Sequence, residues 1–111
     1  MLDAFLKRLA TQPDSVEFTD TMTVIDESYT FTPTAFSNGN LNNAAGENNG
    51  SCKIFAFGLL HKLTVEQTLA CFGDYYRKDV LENPSGVDHQ NIRNFMNTGW
   101  GGVSFAGVAL T

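Results

Sequence analysis

Cys52 and His89 are the residues of this chain best suited to covalent chemistry. A thiol at a helix start is activated when the partial positive charge of the helix end lowers its pKa. Asp88-His89 opens a second helical stretch, so His89 would be the base for Cys52 in a hydrolase or transferase. The pattern is unspecific, because almost any chain with a Cys and a distant His satisfies it. Noncovalent chemistry is better supported, at the junction Asn48-Asn49-Gly50-Ser51-Cys52-Lys53. A helix N-terminus presents free N–H groups and attracts anions. Gly50 allows close backbone approach, and Lys53 adds a full charge. The stretch from Gly46 to Lys53 falls short of a phosphate loop: the spacing differs, and no Ser or Thr follows the lysine. Tyr76, Arg77, His89 and Arg93, from the other polar-dense stretches, are expected to line the same site. The plainer reading of the junction is a well-capped structural helix. For the arginines it is pairing with Asp74, Asp79 or Asp88. Metal ligation by Cys52, Cys71, His61 and His89 has no supporting spacing, and no cofactor motif occurs. His61, among Leu59, Leu60 and Leu63, reads as a core histidine.

The elements that must hold these residues are organised around one stretch. From Ser37 to Ser51 the chain carries six asparagines and three glycines. It then runs into Cys52-Lys53-Ile54-Phe55-Ala56-Phe57-Gly58-Leu59-Leu60, which is apolar on almost every side. A helix apolar all round belongs inside a core. The expectation is a central helix, Cys52–Leu63, capped by Ser51, with the asparagine loop clamped over its start.

Around it, Leu2, Phe5, Leu6 and Leu9 follow helical spacing, and Pro13 ends that helix. Asp14 or Ser15 is the expected cap of a second helix carrying Phe18, Met22, Ile25 and Tyr29. Asn38-Gly39 signals a tight hairpin turn. Thr64-Val65-Glu66-Gln67 is a capping box that opens a helix over Val65–Leu81, with Val65, Leu69, Phe72, Tyr76 and Val80 as its stripe. Asp88 is the expected cap of a helix over His89–Thr98, closed by Gly99. Val103-Ser104-Phe105 alternates as a strand, with a bulge expected at Ala106-Gly107, and should pair near Phe36. These elements predict a single α+β domain over 1–111. It is mostly helical, with about five helices and a small antiparallel sheet of two or three strands.

At 111 residues the chain is one domain with enough surface to bury a core. Its net charge is −5, with six acids and no base from Asp14 to Ser51. A free-standing nucleic-acid binder is therefore disfavoured. The acids suit a solvated helix face or, more sharply, a surface for a basic partner. No secretory signal or membrane-length apolar run is present, so a soluble cytoplasmic protein is expected.

Several segments also carry a family resemblance. They are Thr32-Pro33-Thr34-Ala35-Phe36, Asn43-Ala44-Ala45-Gly46 with Asn48 to Phe55, Phe72 to Leu81, and Asp88 to Met96 with Gly99-Trp100. Together they resemble the HopJ family, named for a type III effector of plant-pathogenic bacteria. The resemblance implies a small protein of the bacterial cytoplasm that is delivered into a host cell. It brings no catalytic residue with it. The expected function is thus an effector-like, noncatalytic binding module. Its partner would be a small anionic or polar ligand or a host protein, met at the asparagine loop and helix start. The alternatives are the Cys52/His89 enzyme and an interaction protein working through the acidic helix at Asp14–Glu27.

Overall fold

The computed structural model describes residues 1–111. Five α-helices surround one apolar core: α1 (Leu2–Thr11), α2 (Phe18–Ser28), α3 (Asn49–His61), α4 (Val65–Ala70) and α5 (Gln90–Thr98). Three short strands, β1 (Phe36–Asn38), β2 (Leu41–Asn43) and β3 (Val103–Phe105), form an antiparallel sheet in the order β2-β1-β3. Asn38 pairs with Leu41 across the turn, and Phe36 pairs with Phe105 on the other side. The α+β class, the hairpin and the partner of the last strand are as the sequence predicts. The last strand stops at Phe105. The chain bends through Ala106 and Gly107, and Leu110 then makes a separate antiparallel bridge to Phe31.

α3 is the axis of the core. Cys52, Ile54, Phe55, Ala56, Phe57 and Gly58 are all buried. Phe55 is the hub: its ring meets Phe36, Phe72, Phe95 and Trp100 at centroid distances of 4.9–6.4 Å. Such edge-on and tilted pairs are the favoured aromatic geometries. Gly58 is where Trp100 docks, and a Cβ there would sit 2.7 Å from the indole. The indole Nε1–H donates to the Leu63 carbonyl at 2.9 Å, so this large ring leaves no polar atom unpaired. The two ends of α3 escape burial, at Asn49 and at Leu59 and Leu60.

The helix bounds differ from the expected ones at four places. α2 is capped by Glu17 in a reciprocal box with Asp20, because Pro13–Ser15 forms a separate 3-10 turn. α3 starts at Asn49, so Ser51 lies inside its first turn and is not the cap. α5 is opened by His89 and not by Asp88. The predicted helix over Val65–Leu81 is two pieces, α4 and a π-helical stretch at Tyr75–Val80. The break is at Gly73, whose φ is +61°, a left-handed value that glycine accepts without strain. A Cβ at Gly73 would lie 2.6 Å from the Phe18 backbone nitrogen, so the glycine also lets α2 approach. Thr21 Oγ1–H donates to the Cys71 carbonyl at 2.9 Å and closes that junction. The stripe itself survives: Leu69, Phe72 and Val80 are buried on either side of the break.

Gly73→Ala combines a left-handed backbone with a backbone clash, so it should cost about 2–4 kcal/mol in urea unfolding. A loss below about 0.5 kcal/mol would show that the chain bends there for another reason.

Candidate functional site

The starts of α3 and α5 are built alike. Asn48 precedes α3 with φ 51° and ψ 50°, and His89 precedes α5 with φ 50° and ψ 48°. Both are left-handed, a region that asparagine and histidine enter more readily than most residues. Neither helix has a side-chain cap. The amides of Asn49, Gly50 and Ser51, and of Gln90, Asn91 and Ile92, donate to no backbone acceptor within the chain. Each start therefore keeps its free N–H groups and its share of positive potential.

One side chain ties these two starts to the hairpin. Asn43 Oδ1 accepts from Asn48 Nδ2 at 2.8 Å and from Asn91 Nδ2 at 3.0 Å. Asn91 Oδ1 accepts in return from Asn43 Nδ2 at 3.2 Å and from Asn38 Nδ2 at 3.1 Å. Asn38 Nδ2 also reaches the Asn91 carbonyl at 2.7 Å, and Asn94 Nδ2 reaches the Asn38 carbonyl at 3.0 Å. Asn38, Asn43 and Asn91 are buried. Asn38 Oδ1 is the one buried side-chain polar atom with no partner. Beyond this cluster the loop closes on itself through Glu47, whose Oε1 accepts from the Ala44 amide at 2.8 Å. The expectation that amides fold this loop against a helix start therefore describes the structure.

A cavity of about 460 Å³ lies between the two helix starts. Asn48, Gly50 and Ser51 line it from α3, and His89, Gln90 and Asn91 from α5. Phe18, Phe72 and Tyr75 supply an aromatic wall, with Leu41 and Ile92 beside them. Phe18 and Tyr75 meet edge to face at 5.0 Å, and Phe18 also lies against Gly50, where a Cβ would be 2.9 Å from the ring. His89 is held by its surroundings: Nε2 is 3.1 Å from Asp79 Oδ2 and 3.9 Å from Asp88 Oδ2, and Tyr75 lies along its ring at 5.3 Å. Arg93 holds the Asp88 carboxyl below the usual carboxylate range, mainly through a hydrogen bond at 2.7 Å. That contribution is complete above the ordinary carboxylate pKa and is lost as pH falls through the depressed folded value.

The structure divides the residues singled out in the sequence. Asn48, Gly50, Ser51 and His89 come together at the cavity. Asn49 is exposed and does not line it. Lys53 is a correction: its Nζ pairs with Asp26 at 2.7 Å and lies 5.0 Å above the Phe31 ring, away from the helix start. Tyr76 and Arg77 are another, because they line a different hollow of about 290 Å³ beside Pro13. There Arg77 donates to the Val16 carbonyl at 2.6 Å. Arg93 is spent on the turn before α5, where it donates to the carbonyls of Asn83 at 2.8 Å and Asp88 at 2.6 Å. Phe18, Leu41, Phe72, Tyr75, Gln90, Asn91 and Ile92 were not foreseen as site residues. Of these, only Gln90 and Asn91, in the polar run after His89, carried any sequence signal.

The thiol half of the Cys52/His89 pair is not poised to react. Cys52 is buried, and its Sγ–H donates to the Thr34 carbonyl at 3.5 Å. Burial raises its pKa, outweighing the opposing effect of that bond. Burial likewise pushes Cys71 up to about 12. His61 is a partly buried residue whose pKa burial lowers, and its Nε2 meets the Tyr29 hydroxyl at 2.5 Å. No group of three or more potential metal-binding side chains is present. On α2, Asp20 pairs with Arg8 at 3.3 Å and Asp26 with Lys53, so part of the acidic face is neutralised within the chain. No helix is long and apolar enough to cross a membrane.

The sequence from residue 2 to residue 110 matches the family model described as HopJ type III effector protein. The chain belongs to the HopJ family. The crystal structure of VPA0580, a protein of unknown function, has the same fold as this HopJ chain. The two share 61% identity with a TM-score of 0.99, over 100% of this chain and 92% of that one. No curated protein matches the sequence.

Two outcomes follow from this geometry. Asn43→Ala leaves the Asn48 and Asn91 amides short of an acceptor and should cost about 2–4 kcal/mol in urea unfolding. Both thiols should be alkylated slowly near neutral pH in the folded chain and quickly once it is denatured. Rapid labelling of Cys52 in the folded chain would restore the covalent reading.

Proposed function

We propose that this HopJ chain is a noncatalytic binding module that holds a small anionic or polar ligand between the starts of α3 and α5. One observation carries the reading: two uncapped helix starts open onto the same cavity. The free amides of each start supply donors at no cost in reorganisation, and the two helix dipoles add there. The aromatic wall gives the apolar part of a ligand somewhere to lie, as small-molecule sites commonly do. Asp79 and Asp88 hold His89 at the rim of the cavity. The absence of an activated nucleophile supports binding without turnover. Family membership supports an effector-like role, in which the protein is delivered by type III secretion and captures its ligand, or a polar segment of a host protein, inside the host cell.

Thermal melting with phosphate, sulfate and a series of small carboxylates tests the site. A ligand at a hundred times its dissociation constant stabilises by about 2.7 kcal/mol, which moves the midpoint of a domain this size by several degrees. Gln90→Glu places a like charge at the cavity wall and should abolish the shift measured from its own unliganded midpoint, which the loss of its bond to the Val87 carbonyl lowers slightly. If no anion moves the midpoint, or if Gln90→Glu leaves the shift intact, the ligand does not sit at these helix starts.

A further inference from the structure

The chain has two Asn-Gly steps, Asn38-Gly39 and Asn49-Gly50, and the fold treats them in opposite ways. In such a step the backbone nitrogen of the glycine can attack the asparagine side-chain carbonyl carbon, because no Cβ hinders it. The reaction needs a reachable side chain and a glycine N–H that is not held elsewhere.

We infer that Asn49 is a site of spontaneous deamidation and that Asn38, of the same local sequence, is protected by the fold. Asn38 is fully buried, and its Nδ2 donates to Asn91 twice. The Gly39 N–H donates to the Gly102 carbonyl at 2.9 Å. Ring closure there must break these three hydrogen bonds, two of them inside the packed amide cluster. Asn49 is exposed, its side chain makes no hydrogen bond to the protein, and the Gly50 N–H has no backbone acceptor. Asn49 is the first residue of α3, so its backbone must turn out of the helical range before the ring can close. That movement involves only the uncapped first turn, where helices open most readily.

The reaction balances without any oxidant or co-reactant beyond water. The Gly50 N–Cγ bond forms and its amide proton passes to solvent. The Cγ–Nδ2 bond breaks, and ammonia leaves. Water then opens the cyclic imide at one of its two carbonyls, giving aspartate or isoaspartate at position 49. Either product puts a carboxylate into the first turn of α3. On the reading proposed above, that charge competes with a bound anion for the same amides. This consequence rests on that reading, whereas the modification does not.

Peptide mapping by mass spectrometry, after ageing the folded protein in mildly alkaline buffer at physiological temperature, separates the two. The peptide holding Asn49 should gain about one mass unit with time. The peptide holding Asn38 should convert at least about tenfold more slowly, since it must wait for local opening of the fold. In urea the two steps should convert at similar rates. Asn49→Gln, which needs a larger ring, should remove the gain without disturbing the fold. Equal conversion at Asn38 and Asn49 in the folded protein would overturn the inference. So would an Asn49 that stays intact while the denatured chain converts. Anion-induced melting shifts before and after ageing read the consequence separately: conversion with no change in the shift would discard the competition and keep the modification site.

Discussion

The carbonyl oxygen of the Asn43 side chain is the constraint around which the rest is arranged. It has two lone pairs, and the chain uses both, one for Asn48 before α3 and one for Asn91 in the first turn of α5. A buried amide that lacked these partners would be strongly unfavourable, because water is excluded from the cluster. The pairing therefore fixes where two helices begin relative to one hairpin. It also fixes the hairpin's register. A slip of one residue would turn Asn43 to the opposite face of the strand and leave both amides short of an acceptor. The turn at Gly39 is held from outside as well, by its hydrogen bond to Gly102. Strand, loop and both helix starts thus form one mechanical unit.

Aromatic packing then places α3 behind that unit. Phe55 touches rings from β1, from the turn after α4, from α5 and from the turn after α5, so no single neighbour can shift alone. Close-packed interiors resist such movement. Gly58 and Gly73 are two of the places where close packing needs a missing Cβ, one for an indole and one for the backbone of α2.

These demands explain which parts of the fold the sequence makes legible. The all-round apolar run Cys52–Leu60 announces a central helix, and Asn38-Gly39 announces a hairpin, because both signals are local. The stripe over Val65–Val80 is also real. Periodicity records which residues are buried, however, and not whether the helix between them is continuous, so the break at Gly73 passes unseen. Ser51 and Asn48 are comparable N-caps by propensity, but the Asn48 side chain bonds to Asn43, which Asn91 of α5 also holds, and these contacts set the start of the helix. The cationic residues mislead for a related reason. Lys53 and Arg77 are long enough to reach Asp26 and Val16, and Arg93 folds back on its own turn. Their positions in the sequence say little about where their charges end. The aromatic wall is illegible, since Phe18 and Tyr75 read only as residues of helices.

The capping pattern bears most directly on function. α2 and α4 are closed by reciprocal boxes, Glu17 with Asp20 and Thr64 with Gln67. The chain thus supplies capping boxes at two of its five α-helices. α1, opened by Met1, has no side-chain cap. α3 and α5 are different again, because suitable side chains are at hand and are used elsewhere. Asn48 turns its amide to Asn43, and His89 turns its ring to Asp79. A cap is worth about 1 kcal/mol, so leaving two starts open forgoes roughly 2 kcal/mol of a stability that is small to begin with. Where a residue able to cap precedes the helix and is used elsewhere, the helix is one of the two that share a cavity. On the binding reading proposed above, an anion would satisfy both starts at once, and binding would complete the fold there.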